Sequence, residues 1–243
     1  MSEAWRDLGT PRVGGTLLIG DHASNHVPDD IDLGIDAALL HEHIAIDIGV
    51  AEVAALLVEG GIVDAAILGG VSRLVVDCNR DEDAPGVIPI ASDGHAIPGN
   101  ALDHAGREAR IARFFRPYHD HIAAVIEAAR PAMILSLHSF TPHLASDPAQ
   151  QRPWQVGVLY NADARLAASA IAALEAEGLT VGDQLPYSGK LLNAAMNRHA
   201  EANDIPYVGI EMRQDLVADA AGQTRFAEWL ARMCEKLVRA EIT

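Results

Sequence analysis

Four short apolar runs in this sequence each end in residues able to bind a metal, carry a proton or hold an anion. Leu17-Leu18-Ile19-Gly20 leads into Asp21-His22-Ala23-Ser24-Asn25, and Leu74-Val75-Val76 leads into Asp77-Cys78-Asn79-Arg80. Ile134-Leu135-Ser136-Leu137 leads into His138-Ser139, and Val208-Gly209-Ile210 leads into Glu211-Met212-Arg213. Each residue has an ordinary reading by itself. A histidine after a strand often serves a structural hydrogen bond, Asp77 can cap the turn that follows it, and Arg80 or Arg213 can be plain surface charge. Imidazoles, carboxylates and guanidiniums arriving together at several strand ends are hard to explain by packing alone. In open α/β sheets ligands bind beyond the carboxyl ends of the strands.

The chemistry such a set supports is metal-assisted hydrolysis. Catalytic zinc takes three protein ligands from His and Asp/Glu and keeps one position open for water. His22 and His138 are the natural imidazole pair. Asp47, in His43-Ile44-Ala45-Ile46-Asp47-Ile48-Gly49, is the first choice as third ligand, because a carboxylate in an otherwise apolar stretch needs a compensating cation. Asp21 and Asn25 compete with it, and Asn is a poor zinc ligand.

Other site chemistries fit less well. Gly182 to Lys190 hints at a phosphate loop, but its glycine spacing is wrong and Leu191 stands where Ser or Thr must hold magnesium. There is no G-x-S-x-G elbow to present a serine nucleophile. His41-Glu42-His43 has the look of a barrel amidohydrolase motif, yet it lies in a helical, partly charged stretch, and the chain is short for a full barrel.

Elements must hold these groups in place. The sequence predicts strands at Thr16–Gly20, Ala65–Gly69, Leu74–Asp77, Met133–His138, Gln155–Tyr160 and Tyr207–Glu211, with helical stretches between them. Ile111, Phe114, Phe115, Tyr118, Ile122, Val125 and Ile126 recur at helical spacing within Glu108–Ala129, where Pro117 should kink or split the helix. Phe226, Leu230, Met233 and Leu237 mark a last helix. Strands alternating with helices favour a sheet, mainly parallel, covered on both faces. No linker or repeat divides the chain, so residues 1–243 read as one domain. Asp81–Gly99, rich in Pro, Gly and Asp, reads as a long loop of the kind that often serves function.

Composition narrows the partners. The chain has 243 residues, 49% of them hydrophobic, with a formal net charge of −16. That charge argues against nucleic acid, and an anionic substrate would require a locally positive site. Neither a membrane span nor a leader is evident, so a cytoplasmic protein is expected, with Cys78 and Cys234 as buried free thiols.

In order, Asp21-His22-Ala23-Ser24-Asn25-His26-Val27-Pro28, His43 to Gly49, Ser72 to Arg80, His138-Ser139-Phe140-Thr141-Pro142, Pro186-Tyr187-Ser188-Gly189 and Glu211 to Asp215 resemble the N-formylglutamate amidohydrolase family from about Leu17 to about Ala220. The resemblance implies an α/β fold, a three-layer α/β/α sandwich with a mixed, mainly parallel sheet, akin to zinc carboxypeptidases and to deacylases of aspartate and glutamate derivatives. It implies His22 and His138 on zinc, Asn79 and Arg80 on the substrate carboxylate, and Glu211 as general base. One departure stands out: the relatives' early pair is His-x-x-Glu, whereas Asn25 follows His22 by three, which throws weight onto Asp47. Gln184 stands where relatives tend to have Asn.

The expected reaction is hydrolysis of a small anionic N-acyl amino acid, N-formyl-L-glutamate foremost, to formate and glutamate. Glu211 moves the proton, Arg80 anchors the carboxylate, and Arg80 or Arg213 steadies the oxyanion. Tyr187 and Ser188 are expected to cover the substrate. The rival enzyme is a carboxypeptidase-like or cell-wall amidase, distinguished by an open groove instead of a cramped cavity; a non-catalytic small-ligand binder is the other class.

Overall fold

In the computed structural model, which describes residues 3–241, side chains leave each central strand alternately to either face. The strands are β1 (Trp5–Gly9), β2 (Thr16–Gly20), β3 (Ala65–Gly69), β4 (Ala91–Ser92), β5 (His95–Ala96), β6 (Met133–Phe140), β7 (Val156–Leu159), β8 (Val181–Asp183) and β9 (Tyr207–Arg213). The helices are α1 (Val50–Glu59), α2 (His104–Arg110), α3 (Arg116–Ala129), α4 (Ala167–Glu175), α5 (Ala194–His199) and α6 (Ala220–Glu241). Leu18, Leu135, Leu137, Val208 and Ile210 pack on one side of the sheet against α1, α4 and α6. Leu17, Ile19, Ile67, Ile134 and Tyr207 pack on the other against Phe114, Phe115, Tyr118 and Ile122 of the α2–α3 run. Two apolar faces force two helical layers, and the three-layer α/β/α sandwich follows.

The seven-stranded sheet has the order β1-β3-β2-β6-β9-β7-β8. The four central strands β3, β2, β6 and β9 are mutually parallel, while β1 and β7 pair antiparallel with β3 and β9. The carboxyl ends of β2, β6 and β9 therefore open on one edge, with His138 and Glu211 opposite each other in register.

Strands β2 and β3 have the bounds the sequence predicts, and β6, β7 and β9 lie where expected within a few residues. Leu74–Asp77 is a correction: it forms turns and no strand. Arg73 Nη2 reaches Asp77 Oδ2 at 2.9 Å, a four-residue contact that a strand, rising about 3.3 Å per residue, keeps out of reach. Leu74, Val75 and Val76 are buried all the same, and a short apolar run does not reveal its own backbone. The helical run changes its bonding just before Pro117: a π-helical turn, Ile111–Phe115, separates α2 from α3, and Pro117 stands in the first turn of α3, where a missing N–H is tolerated. Strands β1 and β8 were not foreseen; both are short and lie at the sheet's edges. Both cysteines are free and buried. Among the described residues, no helix is long and apolar enough to cross a membrane.

Candidate metal centre and its cavity

His22 leaves the end of β2, His138 lies within β6, and Asp47 stands three residues before α1. Their ligand atoms all lie within 4.8 Å of one another, and all three residues are buried. Asp47 Oδ2 is 3.3 Å from His22 Nδ1 and 3.0 Å from His138 Nδ1. A backbone bond from Asp47 N to the His22 carbonyl, 2.9 Å, ties the loop to the strand end. Gly49, at φ 82, then turns the chain into α1 where an added Cβ would lie 2.6 Å from the Val217 carbonyl oxygen.

The far nitrogens of both imidazoles face carboxylates. His22 Nε2 donates to Asp77 Oδ1 at 2.7 Å, and His138 Nε2 faces Asp21 Oδ2 at 3.5 Å. The Asp77 bond fixes the His22 tautomer and leaves its Nδ1 for a ligand, the arrangement usual around metal-binding histidines, while His138 turns its own Nδ1 to Asp47. Tyr118 donates to Asp21 Oδ1 at 2.9 Å. Arg73 donates to Asp47 Oδ1 at 3.1 Å and to Asp77 Oδ2 at 2.9 Å. Its fork thus occupies one oxygen of Asp47 and leaves the other turned to the histidines.

Charge is the test of fit. Asp21, Asp47, Asp77 and Glu211 are each at most 7% exposed, and one partly buried guanidinium, Arg73, sits among them. Burial and Arg73 push the His22 imidazole down, but Asp77 and Asp47 outweigh them and raise it to about 9. Burial pushes the Asp47 carboxyl up, and the two histidines with Arg73 pull it well below the usual range. Burial raises Asp21, against the pull of His138 and His22. Protons on the imidazoles and the Arg73 guanidinium balance Asp47 and Asp77, and a divalent cation, which takes neutral imidazoles and a carboxylate, would bring the same positive charge to the point where two Nδ1 atoms and Asp47 Oδ2 converge.

A cavity of about 250 Å³ opens beside this cluster, lined among others by His22, Asp47, His138, Arg80, Tyr187 and Glu211. Glu211 is 7% exposed, and its Oε2 has no hydrogen-bond partner. Burial raises its carboxyl to about 7 against the pull of His138. Arg80 is in the cavity wall; among the described residues its ionic partner is Asp77, no nearer than 3.9 Å. Asn79 uses Oδ1 to accept from Ala195 N at 3.1 Å, fixing the start of α5. Tyr187 OH accepts from Arg152 Nη1 at 3.0 Å.

The structure brings together His22, Asp47, His138, Glu211, Asn79, Arg80 and Tyr187. It leaves out two expected residues. Arg213 is a correction: its guanidinium grips Asp215 through bonds of 2.8 and 3.2 Å and is no part of the cavity wall. Ser188 is another: its hydroxyl accepts from Lys190 N at 3.3 Å within a turn outside that wall. Of the competing third ligands, Asn25 turns to His41 at 3.4 Å, and Asp21 stands behind His138. Gln184 braces the loop before Tyr187, with Oε1 accepting from Gly189 N at 2.8 Å. His43, set aside with its motif, does reach the cavity. Arg73, Asp93 and Arg152 carried no assignment in the sequence; for Arg73 the signal was its i,i+4 spacing to Asp77.

The model of the N-formylglutamate amidohydrolase family matches residues 15–218. A crystal structure of a gene product from Agrobacterium tumefaciens is similar at 32% identity and a TM-score of 0.91, covering 99% of this chain and 96% of that one. The N-formylglutamate amidohydrolase from Ralstonia eutropha is similar at 18% identity and a TM-score of 0.80, covering 98% and 99%. A bacteriophage poly-gamma-glutamate hydrolase shares the fold at 11% identity and a TM-score of 0.50, covering 98% and 90%. No curated protein matches the sequence.

Proposed function

Because this chain belongs to the N-formylglutamate amidohydrolase family and is thereby a hydrolase of linear amide C–N bonds, we propose that it deacylates a small N-acyl amino acid, N-formyl-L-glutamate foremost, with a zinc ion held by His22, Asp47 and His138. The observation that carries the reading is the meeting of those three ligand groups around one small cavity with a buried Glu211 carboxylate whose Oε2 has no hydrogen-bond partner. A divalent cation there supplies Lewis acidity toward water and a carbonyl oxygen.

The chain's own groups do the rest. Asp77 holds the His22 imidazole with Nδ1 toward the ligand point, and Asp21 adds negative charge behind His138. Glu211 takes a proton from the attacking water and returns it to the leaving amine nitrogen as the C–N bond breaks, a role worth about 10²–10⁴-fold. Arg80 pairs with the substrate carboxylate through its planar fork, beside Asn79. A dication and a guanidinium make a locally positive pocket within a chain of net charge −16. A formyl group asks for almost no acyl room, so a cavity of about 250 Å³ favours it over the larger chains of a cell-wall amidase.

The test is metal analysis of the purified protein followed by formate release from a panel of N-formyl amino acids, before and after chelation. The expected result is bound zinc and formate release that chelation abolishes and added metal restores. No formate from any member of the panel, with metal loaded, overturns the reading.

A further inference from the structure

One wall of the cavity, away from the three ligand groups, is formed by two segments far apart in sequence. Ser92 and Asp93 come from the β4–β5 hairpin, and Leu144 and Ser146 come from the loop after β6. Asp93 and Gly94 form the hairpin's tight turn with φ values of 42 and 84, a conformation that Asp and Gly tolerate. From that tip the Asp93 carboxylate accepts from Ala145 N at 2.9 Å, from Ser146 N at 2.8 Å and from Ser146 Oγ at 2.5 Å. His43 Nε2 lies 2.9 Å from the same carboxylate. Among the described residues, the hydrogen bonds joining hairpin to loop all end on Asp93.

The loop is also held at its flanks. Arg152 donates to the Thr141 carbonyl at 3.1 Å and to Tyr187 OH at 3.0 Å, with its guanidinium 5.0 Å from the Tyr187 ring centre. Burial pushes the Asp93 carboxyl up, but the Ser146 and Ala145 donors hold it at about 2, so the tie persists as a carboxylate at working pH.

We propose that Asp93 is a specificity-determining residue: by clasping hairpin to loop it closes the roof of the cavity and restricts the enzyme to short acyl groups. This rests on the deacylase reading above. A roof fastened by a single carboxylate sets a ceiling on acyl length without touching the reacting atoms, and it leaves a space below the roughly 300–1,000 Å³ usual for drug-sized ligands.

The experiment compares kcat/KM of the metal-loaded enzyme on N-formyl-, N-acetyl- and N-hexanoyl-glutamate. The native protein should prefer formyl to hexanoyl steeply, since even one ill-fitting methylene shifts kcat/KM by about 10–200-fold. Asp93→Ala should lower the formyl-to-hexanoyl ratio by at least about tenfold, with Ser146→Ala shifting it less in the same direction. Ser146→Ala leaves the carboxylate in place and decides the question if Asp93→Ala does not fold. Equal native rates on formyl and hexanoyl substrates, or an unchanged ratio in the variants, overturns the clasp. Cleavage with an unchanged ratio sinks the clasp alone, whereas no cleavage of any substrate sinks the deacylase reading with it.

Discussion

Replacing Glu211 by Gln keeps the size and shape of the side chain and removes its ability to take a proton. In the proposed reaction kcat should then fall by about 10²-fold or more, with metal content and KM retained. Stopped assays on protein of verified metal content check this, and near-normal turnover would remove Glu211 from the mechanism. Arg80 calls for a different readout. Arg80→Ala should raise KM for the free acid by about 30-fold or more, because a carboxylate left without its charged partner in a cavity costs about 2 kcal/mol or more. Its effect on folding should stay within about 0.5 kcal/mol, since its ionic contact in the structure is a 3.9 Å one. Native enzyme that handles the free acid and its amide alike would refute the anchor.

At the scale of elements, the site depends on how closely β3 lets the end of β2 approach. An added Cβ at Gly69, the last residue of β3, would lie 2.1 Å from the Asp21 backbone oxygen, immediately before His22. The Asp21 oxygen belongs to the backbone and the Cβ is fixed to it at Gly69, so no side-chain rotation relieves the contact. Gly69→Ala should cost about 1–3 kcal/mol of stability and weaken metal binding by moving Asp21 and His22 together. Thermal unfolding with a chelator-competition measurement of zinc affinity tests both parts; unchanged affinity would mean that the strand end adjusts without disturbing the ligands.

Over the whole molecule, stability should depend on pH through a pair that does not line the cavity. His119 of α3 and His199 of α5 meet at 2.8 Å, and both are buried. Burial, with His199 and Arg198, holds His119 down to about 2, and burial with Arg198 holds His199 down to about 4. Both values lie below the unfolded one near 6.5, so the unfolded chain binds more protons on acidification. The stability of the neutral pair is complete above about 6.5 and is lost as pH falls, by about 1.4 kcal/mol per pH unit for each histidine until its folded value is reached. Urea midpoints at pH 7.5 and 5.0 should differ less in His119→Gln than in the native protein. Contributions from His22 and His138 are common to both, and an equal drop would show that the pair is not responsible.

Residue types and their order determined much by themselves. The alternation of apolar runs fixed β2, β3, β6 and β9, and polar residues at their ends marked His22, His138 and Glu211, because period and strand ends are local properties of a chain. Asp47 was legible too, as a charge in an apolar stretch. The tertiary structure decided what depends on direction. Leu74–Asp77 carries the apolar signature of a strand, yet it curls, and Arg73 thereby reaches Asp47 and Asp77 at once. Arg213 and Arg80 both follow apolar runs that end at the rim, but Arg213 finds Asp215 two residues on, whereas Arg80 has no such close partner and stays with the cavity. Asp93 and Ser146, 53 residues apart, meet only because the fold returns both loops over one strand edge. Long-range pairing of this kind leaves no periodic trace in sequence, since it is set by where the backbone carries each loop and not by the neighbours of either residue.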